Sequence, residues 1–135
     1  MKVRLKQANR LFGQLLCTTL LVVAGVEMAS QSMAQTAGDA ARGEMLYQTC
    51  ELCHSIDKNE VGPMHRGVFG RVAGTVPDYN YSQALKASKI VWTESNLDKW
   101  LTSPQAFVPG SKMLYKVESP QDRADIIAFL KERAK

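Results

Sequence analysis

Cys50-Glu51-Leu52-Cys53-His54 decides what kind of domain this chain forms. The pattern C-x-x-C-H is the spacing of a c-type haem attachment site. Two thiols three positions apart on a helical turn can each add to one haem vinyl group. The histidine that follows is then held under the ring, where its imidazole can bind iron. The same two thiols could serve a redox-active pair, and Cys50, Cys53, His54 and His65 could be set against a zinc ion.

Upstream of the motif the chain does not read as a folded domain. Lys2, Arg4, Lys6 and Arg10 precede a mostly apolar run from Leu11 to Val26, and Ser32-Met33-Ala34 offers a small-x-small cleavage site before Gln35. This is the build of a signal peptide over residues 1–34, which directs export to the periplasm or an equivalent compartment. The alternative is an uncleaved anchor. The apolar run has 16 residues interrupted by Gln14, Thr18 and Thr19, short of the roughly 20 that a span requires. Cys17 follows the bulky Leu16, so it reads as an ordinary leader residue.

Residues 35–135 then form a single domain of 101 residues, with no membrane span left in it. Four of the 17 basic residues and one of the 13 acidic residues leave with the leader, so the domain holds 13 basic and 12 acidic groups, a net charge of +1. The sequence pI near 9.1 mostly describes the leader, and nucleic acid is not a partner this balance suggests. Cys50 and Cys53 are the domain's only cysteines. An exported domain with one such pair has no disulfide framework, so the pair does chemistry or carries a cofactor.

The domain reads as all-α with long loops. Asp39 is the N-cap of a helix over residues 40–48, with Ala40, Gly43 and Tyr47 on one face. Gly43 in mid-helix points to close approach of another helix. Residues 59–79 contain Gly62, Pro63, Gly67, Gly70, Gly74 and Pro77 and no period, an irregular stretch that suits wrapping around a large flat cofactor. A short helix is expected over 82–87. Another follows Thr93, with Leu97, Trp100 and Leu101 on one face, and ends before Pro104. Ser119 caps the last helix, with Pro120 at its first position, Asp122 as an acidic capping-box partner, and Ile126, Phe129 and Leu130 on its apolar face.

A haem with two strong ligands is an electron carrier, whereas one open position makes it a gas-binding or catalytic centre. Met45 and Met64 lie close in sequence to His54 and stay on its side. Met113 follows the Pro109-Gly110 turn far along the chain, from which it could reach iron from the opposite face. Its other role is that of a methionine filling the core. His65 is the second candidate ligand, and its alternative is that of a hydrogen-bonded scaffold residue.

The ordered series of motifs resembles a class I cytochrome c. It comprises Gly43 and Tyr47, the 50–54 motif, Gly62-Pro63, Gly67-Val68-Phe69-Gly70-Arg71, Tyr79-x-Tyr81-Ser82, Ile90-Val91-Trp92, Pro109-Gly110-Ser111-Lys112-Met113 and Asp122-Arg123-x-Asp125-Ile126-Ile127-x-Phe129-Leu130. The resemblance implies helices and loops wrapped around one haem c, thioethers at Cys50 and Cys53, and His54 and Met113 as axial ligands. It implies that the Pro63 carbonyl accepts the His54 Nδ1 proton. Tyr81 and Trp92 would bond a buried propionate, with Arg71 offsetting its charge and Ser111 beside it. Gly43 and Tyr47 would pack on Phe129 where the terminal helices cross.

Three positions depart from the family pattern. His65 stands where the family often has an apolar residue, Leu85 replaces the usual asparagine, and Trp100 replaces the usual tyrosine beside the methionine sulfur. The implied function is one-electron transfer between redox proteins (oxidase, reductase or dehydrogenase) by a monomer that is not an enzyme. The alternatives are a haem subunit of a larger complex, a sensor or ligand-binding haem domain, and a thiol–disulfide oxidoreductase. Lys112 is in place for docking, and Lys58, Lys86, Lys89, Lys99 and Lys116 could add to it.

Overall fold

Side-chain caps start the helices where the sequence predicts them. The Asp39 carboxylate accepts from the Ala41 and Arg42 amides at the start of α1 (Ala40–Tyr47). Ser82 accepts from Leu85 N–H at α2 (Gln83–Ser88), and Thr93 from Asn96 N–H at α3 (Glu94–Thr102). Ser119 accepts from Asp122 N–H at the last helix, α5 (Pro120–Arg133). Each such cap is worth about 1 kcal/mol. A fifth helix, α4 (Pro104–Phe107), was not anticipated: extended backbone at Ser103 ends α3, and the Ser103 hydroxyl caps the next turn through Ala106. The computed structural model describes residues 37–135, so the leader reading over 1–34 lies outside the described residues.

The terminal helices α1 and α5 cross at Gly43. A Cβ there would sit 2.0 Å from the Asp125 carbonyl oxygen and 2.9 Å from the Phe129 Cβ. Beside this contact Tyr47 is buried against Phe129, with ring centroids 4.9 Å apart. Asp125 is fully buried in the crossing and accepts from the Asp39 amide at 2.8 Å, the Gln121 amide at 2.8 Å and the Arg42 guanidinium. The second arm of Arg42 pairs with Asp122. Asp122 therefore faces the neighbouring helix, rather than turning back on its own cap as the capping-box reading had it.

This arrangement gives a pH dependence with a defined sign. Burial alone pushes the Asp125 carboxyl up, but the bonds from Asp39, Gln121 and Arg42 outweigh it and hold the group below its ordinary 3.8. A depressed folded value contributes stability above the unfolded pKa and loses it as pH falls through the folded one. The melting temperature should therefore drop on acidification below pH 3.8. In Asp125→Asn that drop should be shallower, and melting curves taken across the acid range would show it.

Helix α3 completes the core with Leu97, Trp100 and Leu101, set against Ile126, Ile127 and Leu130 of α5. Arg123 ties the two together: its Nε donates to Asp98 at 2.6 Å, and its Nη1 to the Val117 and Glu118 carbonyls, each at 2.9 Å. Among the described residues there is no strand, only an isolated antiparallel bridge between Val72 and Val91. The 59–79 stretch is irregular, as its glycines and prolines predict, yet it is pinned by side chains. Asn59 bonds both Pro77 and Met64, and the Tyr79 hydroxyl donates to the Val61 carbonyl at 2.6 Å. No described helix is long and apolar enough to cross a membrane.

Candidate haem-attachment site

The chain leaves α1 without unwinding. A 3-10 turn over Cys50–Leu52 follows, and the Cys53 and His54 amides both donate to the Cys50 carbonyl, at 3.0 and 2.9 Å. The five-residue motif therefore sits on a wound backbone, as attachment of two thiols requires. Both cysteines are free, Cys50 half-buried and Cys53 exposed. Burial, with Glu51 and Cys53 adding to it against a backbone hydrogen bond, pushes the Cys50 thiol up to about 11. A catalytic C-x-x-C needs a depressed thiol and a strand before it. Here the thiol is raised and a helix precedes it, so the oxidoreductase alternative lacks its chemistry. Among the described residues no three His, Cys, Asp or Glu side chains converge to hold a metal ion, which removes the zinc arrangement.

His54 Nδ1 lies 2.7 Å from the Pro63 carbonyl oxygen. A carbonyl only accepts, so Nδ1 carries the proton and Nε2 keeps its lone pair for a metal. Burial lowers the His54 pKa against that bond, which keeps the ring neutral. Gly62 donates to the Cys53 carbonyl at 2.7 Å and backs directly onto the imidazole, where a Cβ would fall 2.2 Å from Cε1. Gly62→Ala should therefore displace the ring and break the Pro63 bond. Helix content should survive by circular dichroism while the haem bound per polypeptide falls severalfold.

His65 is not placed apart from His54, as a ligand from the opposite face would be. The two rings stack, and the His65 Nδ1 lies 2.9 Å from the Tyr47 hydroxyl. Burial pushes the His65 pKa down to about 3, with His54 and Arg71 adding to the effect. This arrangement makes it scaffold rather than a distal ligand.

The loop that carries Met113 is closed by a hydrogen bond from Ser111 N–H to the Val108 carbonyl at 3.1 Å, the turn that Pro109-Gly110 predicts. The Trp100 indole N–H donates to the Met113 sulfur at 3.2 Å, and Trp100 packs on Trp92 with centroids 5.3 Å apart. Gln105, which the sequence reading passed over, holds this loop from inside. Its Nε2 lies 2.7 Å from the Ser111 carbonyl, 2.9 Å from the Ser111 hydroxyl and 3.0 Å from the Met113 carbonyl. Cys50 and Met113 pack against the same core.

The family model described as Cytochrome c matches residues 40–134. The chain belongs to the cytochrome c family. It is 42% identical over 114 residues to a cytochrome c2 of Rhodomicrobium vannielii, covering 82% of this chain and 91% of the relative. With a cytochrome c2 of Blastochloris viridis it shares 40% over 116 residues, again 82% and 91% of the two chains. The solved structure of cytochrome cH from Methylobacterium extorquens superposes with a TM-score of 0.69 at 43% identity, covering 71% of this chain and all of the other. The all-α fold is that of a class I cytochrome c, and the function is that of an electron carrier with haem c bound covalently through Cys50 and Cys53.

Of the remaining residues that the resemblance names, Arg71, Tyr81 and Ser111 have side-chain partners, and Trp92 is held through its backbone. Tyr81 and Trp92 are buried, and the Trp92 backbone amide donates to the Arg71 carbonyl at 2.9 Å. Burial raises the Tyr81 pKa, opposed by Arg71 and by a hydrogen bond with the Val76 backbone. Arg71 donates to the Arg66 and Met64 carbonyls at 2.7 and 3.0 Å, so its charge is fixed within the loop after His54. Ser111 is buried, with its hydroxyl on Gln105 and 3.5 Å from the Pro104 carbonyl. These contacts anchor the polar residues that the family resemblance sets beside the propionates.

Proposed function

We propose that His54 and Met113 are the axial ligands of the haem in this electron carrier. We also propose that the carrier works as a monomer in the periplasm once residues 1–34 have been removed. The observation that carries the ligand reading is that each donor side chain is held by a hydrogen bond that leaves a lone pair free for iron. Pro63 holds the His54 proton on Nδ1, and Trp100 takes one lone pair of the Met113 sulfur, leaving the other to donate. When bound, the haem supplies a one-electron iron couple, and a histidine–methionine pair raises its potential. The protein's part is to keep both ligands in place through the redox change and to exclude water around them.

Export is supported by the basic start, the apolar run and the Ser32-Met33-Ala34 site. With a net charge of +1 after cleavage, encounter with redox partners depends on a local patch. Lys112 bonds the Asn80 carbonyl, while Lys58 and Lys116 pair with Glu60 and Glu118. Lys112 keeps its full charge on that neutral acceptor, so docking is brief and electrostatically guided, and association should be faster at low salt.

The test is an oxidised and reduced optical spectrum of protein matured in a haem-attaching host, with N-terminal sequencing of the product. A low-spin c-type spectrum with the near-infrared thioether-to-iron band, on a chain starting at Gln35, is the expected result. A high-spin ferric spectrum would sink the ligand pair. A chain still starting at Met1 would sink the cleavage.

A further inference from the structure

Three side chains behind His54 play no part in the function described so far. His65 lies nearly parallel to His54, with ring centroids 4.1 Å apart and planes 22° from one another. Its Nδ1 shares a 2.9 Å hydrogen bond with the Tyr47 hydroxyl. Tyr47 is itself locked in the crossing of α1 and α5 against Phe129. The His65 backbone is held too: its N–H donates to the Ser55 carbonyl at 2.9 Å and its carbonyl accepts from Val68 at 2.8 Å. The ring is thus restrained at its backbone, along one edge and across one face.

We propose that His65 is a positioning residue that sets the plane of the His54 imidazole, with the Tyr47 hydroxyl holding His65 in register. The inference rests on the reading of His54 as an axial ligand. The Pro63 bond fixes one atom of the ring, and a single hydrogen bond is a soft restraint on rotation about its own axis. A second flat ring stacked on the first resists that rotation, because turning either ring drives its edge into the other's face. Gly62 limits the ring further, coming so close that not even a methyl group fits. An aliphatic side chain at position 65 would fill the volume without defining a plane. A buried imidazole, in turn, needs a partner for its nitrogen. The hydroxyl on Tyr47 therefore belongs with the imidazole on His65, and the two residues make one device.

The plane of an axial imidazole sets the asymmetry of unpaired spin over a low-spin ferric haem, which proton NMR reads as the order and spread of the haem-methyl shifts. The experiment compares oxidised holoprotein of wild type, Tyr47→Phe, His65→Phe and His65→Leu, with reduction potential and melting temperature measured alongside. Tyr47→Phe removes one hydroxyl and leaves the ring packing, so it keeps the test clear of folding failure. The expected result is an altered methyl order and a shifted potential in Tyr47→Phe and His65→Leu. His65→Phe, which keeps a flat ring, should lie between them and wild type. If Tyr47→Phe and His65→Leu melt earlier but keep the wild-type shift pattern and potential, His65 is core filling and the proposal falls. A wild type without a low-spin spectrum overturns the axial reading and the positioning role with it. A low-spin wild type whose variants do not move overturns the positioning role alone.

Discussion

Met113→Ala should abolish the near-infrared band and lower the reduction potential while the haem stays attached through Cys50 and Cys53. The size should be on the order of 0.1 V or more, since axial ligands move haem potentials over about 0.8 V. On the proposed ligation two effects would add at this site: iron would lose the thioether, and the Trp100 indole the acceptor it holds at 3.2 Å. The variant also loses packing, because Met113 is partly buried against the core. Met113→Leu separates the loss of sulfur from the loss of packing by keeping most of the volume. Loss of the band in both variants, with melting recovered in Met113→Leu, is the expected pattern. A band that survives in Met113→Leu would show that another group holds the sixth position.

Gly43→Ala should be the most damaging small change to the fold. A methyl group there meets the Asp125 carbonyl oxygen at 2.0 Å and the Phe129 Cβ at 2.9 Å, and neither can swing away by changing a rotamer. The helices must separate, which strains the Tyr47–Phe129 contact and the bonds to the buried Asp125. Overpacking of this kind costs about 3 kcal/mol, more than the helix propensity that alanine gains over glycine, which is about 1 kcal/mol. Net of that gain the cost is about 2 kcal/mol, so for a domain of this size the melting temperature should fall by roughly 10 °C. Thermal unfolding followed by far-ultraviolet circular dichroism measures it directly. An unchanged midpoint would mean that the crossing is looser than these distances state.

Local chemistry was legible in the sequence wherever one residue type answers one local need. Asp39 and Ser119 cap the helices they were expected to cap, and Ser82 and Thr93 cap helices expected to start beside them, since a short polar side chain satisfying free amides is a nearest-neighbour matter. The Cys50–His54 spacing and the Pro109-Gly110 turn are local in the same sense. Pro104 shows where such reasoning stops. It was read as the end of one helix, yet Ser103 both ends α3 and caps α4 one residue later. Gln105 carried no signal at all: a glutamine on a one-turn helix looks like surface until three acceptors of the Met113 loop close around it. The partners of Asp122 and His65, namely Arg42 and Tyr47, come from a different part of the chain. Position in sequence cannot announce pairs that only the fold brings together.

The bond from the Asp39 amide to the Asp125 carboxylate joins positions 86 residues apart, so the clasp between α1 and α5 closes nearly the whole domain into a ring. The entropy of closing a ring grows only with the logarithm of its length. Ten extra residues in the span would raise the closure cost by roughly 0.1 kcal/mol. A single methyl group at the clasp costs many times that. Contacts of such long range are slow to find during folding. Whether that closure sets the folding rate can be read from Gly43 variants, which should then slow folding rather than speed unfolding.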